Sequence, residues 1–218
     1  MGDELVFRGG TCLHKLHVDS APRYSEDLDY VRRSSGGIKP VTEALGGIGE
    51  RLGMDNRTRI STHPKMFLLA PFESGSGRMR IKVEVNTFER SPARDLIRLG
   101  YDVDSDWFSG QAQVQTYQIA ELVASKLRAL YQRSKGRDLF DLWLAVTRLG
   151  VPPQELIDCF AGYRPYGYTP GLAIQNLRAK VENADFTGDL NGLLRERPDD
   201  YDVRQAADLI IAEVLSRL

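Results

Sequence analysis

The sequence predicts an α/β protein, a twisted mixed sheet flanked by helices and followed by a helical C-terminal region. Three observations carry that prediction. The apolar run Leu5-Val6-Phe7 ends at Gly9-Gly10-Thr11, opens a short helical pattern and returns as an extended run from Arg23 to Tyr30. Residues 57–85 read as a block of short strands, and within it residues 80–86 alternate polar and apolar side chains with period two, as half-buried strands do. From Gln118 onward the apolar spacing becomes three and four, the spacing of helices. A sheet-bearing region is therefore expected over residues 1–115 and a helical region over 116–218. A chain of 218 residues suffices for one sizeable core, or for a core with a helical appendage.

The first strand is expected at Glu4 to Arg8. The two glycines after it let the backbone approach a ligand with no Cβ in the way. Thr11 opens a helix carrying Cys12, Leu13 and Leu16, where it can act as N-cap beside free N–H groups that suit a phosphate. The next strand, drawn from Arg23-Tyr24-Ser25-Glu26-Asp27-Leu28-Asp29-Tyr30, puts Arg23, Ser25, Asp27 and Asp29 on one face. Asp27 and Asp29 repel each other there. A hard divalent cation such as Mg²⁺ removes that cost by taking both as oxygen ligands. Each half also has an ordinary explanation, since Gly-Gly-Thr serves as a turn and Asp-x-Asp as a solvated edge.

Ser34-Ser35-Gly36-Gly37 reads as a loop, and Pro40 suits the first turn of a helix that reaches about Gly53 through Val41, Leu45, Ile48 and Leu52. Strands follow at Arg57 to Ser61, Lys65 to Ala70 and Arg78 to Val85, the last two joined by a hairpin turn over residues 73–77. In the third of these, Arg80, Lys82, Glu84 and Asn86 share a polar face. Gln113 to Tyr117 reads as a final short strand.

The helix from Gln118 carries Ile119, Leu122, Val123, Leu127 and Leu130 as one stripe, and Lys126 projects from it. An ammonium on a buried face needs an anion, or else must snorkel to water. Gly136 allows a kink before a helix bearing Asp138 and Asp141, which are neighbours at i and i+3. Asp138 falls in the first turn, where a carboxylate caps free N–H groups. Asp141 lies a turn further in, beside Phe140 and Leu142, and calls for a cationic partner such as Lys126 or Arg133. Beyond Pro152-Pro153 helices are expected at 154–163, 172–183 and 203–218. The tyrosine-rich loop at 163–171 either stacks bases or packs on its own domain.

The order strand, Gly-Gly-Thr, helix, strand with Asp-x-Asp resembles the polymerase-β-like nucleotidyltransferase fold. FRGGTCLHK…RYSEDLDY, with the downstream stretch IAELVASKLRALYQRSKGRDLFDLW, is similar to the AbiEii-type nucleotidyltransferase toxins of type IV toxin–antitoxin systems, the group that includes the mycobacterial Men toxins. The resemblance spans residues 5–145. It implies Mg²⁺ held by Asp27 and Asp29, with a third carboxylate from Lys82-Val83-Glu84-Val85-Asn86. Here that residue is Glu84 where the fold at large more commonly has Asp. Direct ligation, ligation through water and a general-base role all stay open for it, beside simple pairing with Arg80 or Lys82. The resemblance further implies an NTP on Gly9, Gly10, Thr11, Arg23, Ser25 and Arg133, with Lys126 on the triphosphate. Asp141, or else Asp138, would orient Lys126 or the acceptor. The implied biology is a toxin silenced by a separately encoded antitoxin, adding nucleotides to the 3′ end of tRNA and so blocking translation and growth. Alternatives are transfer to a small molecule or protein side chain, and a nucleotide-binding module without turnover. Members of the group generally carry additional helical sequence before the first strand, so a short version or a trimmed start is expected.

Composition narrows the remaining classes. Hydrophobic content of 42% and charged content of 27% are those of an ordinary soluble globular protein, expected in the cytoplasm. No run of about eighteen apolar residues exists to span a membrane. The acidic start Met1-Gly2-Asp3-Glu4 lacks the features of a signal peptide. Cys12 and Cys159 read as small buried hydrophobes. A net charge of −1 does not announce a nucleic-acid binder, yet Lys126, Arg128, Arg133, Lys135 and Arg137 form a local basic cluster. Neither a Walker A lysine motif, a dinucleotide fingerprint nor a nucleophile elbow is present.

Overall fold

The structure is a computed structural model that describes residues 2–20, 22–25, 27–73, 75–106, 108–196 and 198–218. Ser74, inside the expected hairpin turn, and Glu26, inside the acidic strand motif, lie outside the described residues. The chain divides into two compact units. Residues 1–16, 25–91 and 96–117 form the first, and residues 17–24, 92–95 and 118–218 the second. Two short segments from the expected sheet region, 17–24 and 92–95, thus pack with the helices.

The first unit is a seven-stranded sheet with helices α1 (Gly9–Leu16) and α2 (Lys39–Arg51). Its strands are β1 (Leu5–Arg8), β2 (Asp27–Arg32), β3 (Asp55–Arg59), β4 (Lys65–Pro71), β5 (Arg78–Asn86), β6 (Ile97–Ser105) and β7 (Phe108–Thr116). The spatial order is β3-β4-β5-β2-β1-β7-β6. β2 runs antiparallel to β1 and parallel to β5, so the sheet is mixed. Period two sends Met66, Leu68, Val83 and Val85 to one face, where they bury against Val41 and Leu45 of α2. Pro40 sits in the first turn of α2, as its fixed φ favours.

β6 is an addition to the expected strands, and β7 begins at Phe108 rather than Gln113. The two form one long hairpin whose outer residues are exposed on both faces. Without a buried face there is little apolar alternation to read.

The second unit is helical: α3 (Ile119–Gln132), α4 (Gly136–Thr147), α5 (Pro153–Phe160), α6 (Pro170–Val181), α7 (Ala184–Thr187) and α8 (Val203–Glu213). Its core holds Leu122, Leu139, Phe140, Leu142, Leu156, Phe160, Leu177 and Ile210. Thr169 and Asp202 cap α6 and α8 by accepting backbone N–H bonds, which satisfies groups that the first turn leaves orphaned. A Cβ on Gly136 would lie 2.2 Å from the Phe186 carbonyl oxygen, so the glycine serves close packing at the start of α4. The Pro22–Tyr24 segment is pinned by Tyr24 N donating to Leu193 O (2.7 Å) and Arg195 N donating to Pro22 O (2.9 Å). Ala93 N and Arg94 N donate to the buried Glu121 carboxylate at 2.7 and 3.0 Å. In the tyrosine-rich loop, Tyr168 packs on Tyr131 and Phe160, whereas Tyr166 is exposed. Both cysteines are buried.

Candidate active site

In the first unit β1 passes into α1 with no linker, and Gly9 makes the corner at φ +79°. That value lies in the left-handed region glycine tolerates best. A Cβ there would stand 2.4 Å from Asp29 Oδ2, so the second acid of the Asp-x-Asp pair packs directly onto the glycine. Thr11 is not the N-cap that its position suggested. The helix already begins at Gly9, so Thr11 is buried inside its first turn. Its hydroxyl lies 2.5 Å from the Asp27 carbonyl oxygen, to which it donates, and 2.8 Å from Ser25 Oγ. Thr11 therefore fastens α1 to the backbone of the first acid.

Asp27 and Asp29 share one face of β2. The parallel register with β5 sets Asp29 opposite Glu84 and Asp27 opposite Lys82. Lys82 Nζ lies 2.7 Å from Asp27 Oδ2 and 3.4 Å from Glu84 Oε2, and Lys65 Nζ lies 3.3 Å from the same Glu84 oxygen. Burial works against the Lys82 charge, but the hydrogen bond to Asp27 and the field of both acids outweigh it and raise its pKa. Three carboxylates and one central ammonium thus occupy adjoining positions on one polar face.

The second unit holds a ladder of charges on α3, α4 and the Pro22–Tyr24 segment. Arg23 grips Asp141 with both arms of its fork, Nε to Oδ1 at 2.8 Å and NH2 to Oδ2 at 2.7 Å. Lys126 Nζ stands 2.9 Å from Asp141 Oδ2 and 3.4 Å from Asp138 Oδ1. Arg133 closes the ladder on Asp138, Nε to Oδ2 at 2.7 Å and NH2 to Oδ1 at 2.8 Å. Both aspartates are fully buried.

Two expectations are corrected here. Arg23 is not on the face of β2, because that strand starts at Asp27; Arg23 forms an isolated bridge with Leu194 and turns to Asp141. Asp138 makes no capping bond, because its carboxylate is taken by Arg133 and Lys126. Burial disfavours the Arg23 charge, yet Asp141 outweighs it and raises the guanidinium pKa further.

The family model for the nucleotidyl transferase AbiEii toxin of type IV toxin–antitoxin systems matches residues 1–209. The chain belongs to the AbiEii family. It is therefore a nucleotidyltransferase toxin of a toxin–antitoxin system. Among curated proteins none matches it. The fold is similar to that of MenT4, a nucleotidyltransferase toxin of Mycobacterium tuberculosis H37Rv, with TM-score 0.72 and 23% identity over 99% of this chain and 76% of that one. It is also similar to JHP933 of Helicobacter pylori, with TM-score 0.55 and 16% identity over 96% and 82% of the two chains.

In this AbiEii enzyme the acidic face fits a hard divalent ion by its donor chemistry. Asp27 and Asp29 offer oxygens from one side of β2, and the Lys82 ammonium already demonstrates that a cation is accepted against Asp27. Glu84 is turned to Lys65 and Lys82. Among the described residues, no group of three or more His, Cys, Asp or Glu side chains is placed to hold a metal ion as it stands. Sequence reasoning offered Lys82 as a partner of Glu84, which it is, but missed its closer contact with Asp27 and missed Lys65. The signal was available in the alternation Arg80, Lys82, Glu84, which puts all three on one face. It also missed Glu121, whose role depends on backbone N–H groups 28 and 27 residues away.

Proposed function

We propose that this AbiEii toxin uses Mg²⁺ to transfer nucleotides from an NTP to the 3′ end of tRNA, which blocks translation and growth in the cytoplasm until a separately encoded antitoxin binds it. The observation that carries the reading is the β2–β5 register, which puts Asp27, Asp29 and Glu84 on one face beside the Gly9-Gly10 corner. Asp27 and Asp29 would hold the ion, with Glu84 as the neighbouring third acid. When bound there, the ion supplies charge stabilisation to the phosphoryl oxygens and the leaving pyrophosphate.

Gly9 and Gly10 open the first turn of α1, where N–H groups favour phosphate. Thr11 and Ser25 fix the backbone that carries Asp27. In the transfer the acceptor oxygen bonds to the α-phosphorus, the α–β phosphoanhydride bond breaks, and the acceptor proton passes to a carboxylate of this face. Lys126 has three N–H donors and two carboxylates about it, which supports a role in which Asp138 and Asp141 aim the ammonium at the NTP phosphates. Arg23 and Arg133 act through those same carboxylates rather than on the nucleotide.

Incubation with each labelled NTP, Mg²⁺ and total tRNA, followed by a denaturing gel, tests the reading. Label is expected on tRNA with at least one NTP and none with Asp29→Asn. Label on protein or small-molecule fractions alone would overturn the acceptor, and labelling by Asp29→Asn would overturn the site.

A further inference from the structure

The face of β3, β4 and β5 that does not pack on α2 carries a run of cations leading to the acids. Register sets two rungs across four strands. One is Arg59, Lys65, Glu84 and Asp29; the other is Arg57, Phe67, Lys82 and Asp27. Arg80 lies beside the second rung, its guanidinium 5.5 Å from the centre of the Phe67 ring. Lys65 and Lys82 are committed to carboxylates. Arg57, Arg59 and Arg80 are exposed and, among the described residues, have no carboxylate partner. With strands about 4.8 Å apart, each rung spans roughly 14 Å from the edge strand to the acids.

The basic cluster that sequence reading singled out on α3 and α4 is different. There Lys126 and Arg133 are paired with Asp138 and Asp141, and Lys135 and Arg137 face Asp189. In the first unit, by contrast, the sheet face carries positive charge that the described carboxylates leave unneutralised.

We infer that this face is the track on which the RNA acceptor lies, as an extended single strand whose phosphates meet Arg57, Arg59 and Arg80 and whose base stacks on Phe67. The inference rests on the reading of RNA as acceptor and adds the surface that receives it. Phosphates provide the charge that three unpaired arginines lack, and a ring with a guanidinium over it is a stacking platform that accepts any base. The rungs end at Asp27 and Asp29, where the reacting hydroxyl has to arrive.

The test measures binding of a fluorescein-labelled single-stranded RNA and of deacylated tRNA by anisotropy across a salt series, with NTP-induced thermal shift as a control. R57A/R59A/R80A should weaken RNA binding at least about tenfold and reduce the slope of log K against log salt by about 2, at roughly 0.7 per lost phosphate contact. Its NTP-induced shift should match wild type. R57K/R59K/R80K, which keeps the charge, should restore the slope. F67A should weaken binding about fivefold or more with the slope unchanged.

Unchanged affinity and slope in the alanine variant overturn the track, while labelling of tRNA by wild type would leave the proposed reaction standing. RNA binding that depends on these arginines without any transfer to RNA would overturn the reaction and keep the surface. Polyglutamate bound as tightly as RNA of equal charge would assign the face to an acidic protein segment instead. Wild-type protein that neither binds nor labels RNA would overturn both.

Discussion

At Gly9 two demands meet in one residue, a left-handed φ of +79° and a Cβ position 2.4 Å from Asp29 Oδ2. Gly9→Ala must strain the corner and push the acid aside at once. A loss of about 1–3 kcal/mol in urea unfolding is expected, with most transfer activity lost as well. A variant with wild-type unfolding and wild-type rate would show that Asp29 does not need its present position. Asp29→Asn should behave differently, abolishing transfer while the melting temperature holds or rises, because β2 then carries one fewer like charge beside Asp27. Labelling gels and melting curves on the two variants separate an acid that is misplaced from an acid that is missing.

Between α3 and α4, the charge ladder reverses what the sequence suggested for Asp138 and Asp141. Capping would have made Asp138 the structural residue, while Asp141 was to meet a cation for function, and it does meet Lys126. Both are fully buried, but their arginines differ: the Arg23 side chain is 2% exposed and that of Arg133 51%. Removing the charge of Asp141 leaves Arg23 buried beside a neutral amide, whereas Arg133 can turn to water. Asp141→Asn is expected to cost about 3–5 kcal/mol and Asp138→Asn distinctly less, measured by denaturant unfolding. Equal losses would place the burden on Lys126, which both share. Arg23 also shows where sequence reading stops. Its partner lies 118 residues away, and period two from Asp27 pointed it to the wrong face because the strand begins four residues later. The legible parts were those with a buried side. The apolar stripe of α3, the core face of β4 and β5, and the paired acids of β2 each leave a periodic mark. The exposed hairpin β6–β7 leaves almost none, so one strand went unseen and the other was cut short.

Across the whole molecule, stability should fall in mild acid partly through His17. Its Nε2 is buried with no hydrogen-bond partner among the described residues, and burial holds its pKa below the ordinary 6.5. The folded chain therefore favours the neutral ring. That contribution is complete above pH 6.5 and is lost as pH falls through the lower folded value. Melting temperature between about pH 7 and pH 5 should drop less steeply in His17→Leu than in wild type. Parallel curves would remove His17 from the account. The buried ladder has a practical consequence for anyone seeking the antitoxin. A silenced toxin is the natural bait for pulling its partner from cells, and the choice of silencing mutation decides what the bait displays. Changed at Asp141, the protein would present a loosened helical unit and collect chaperones. Changed at Asp29, on the polar side of the sheet, it would keep its native exterior and fish for the partner that recognises it.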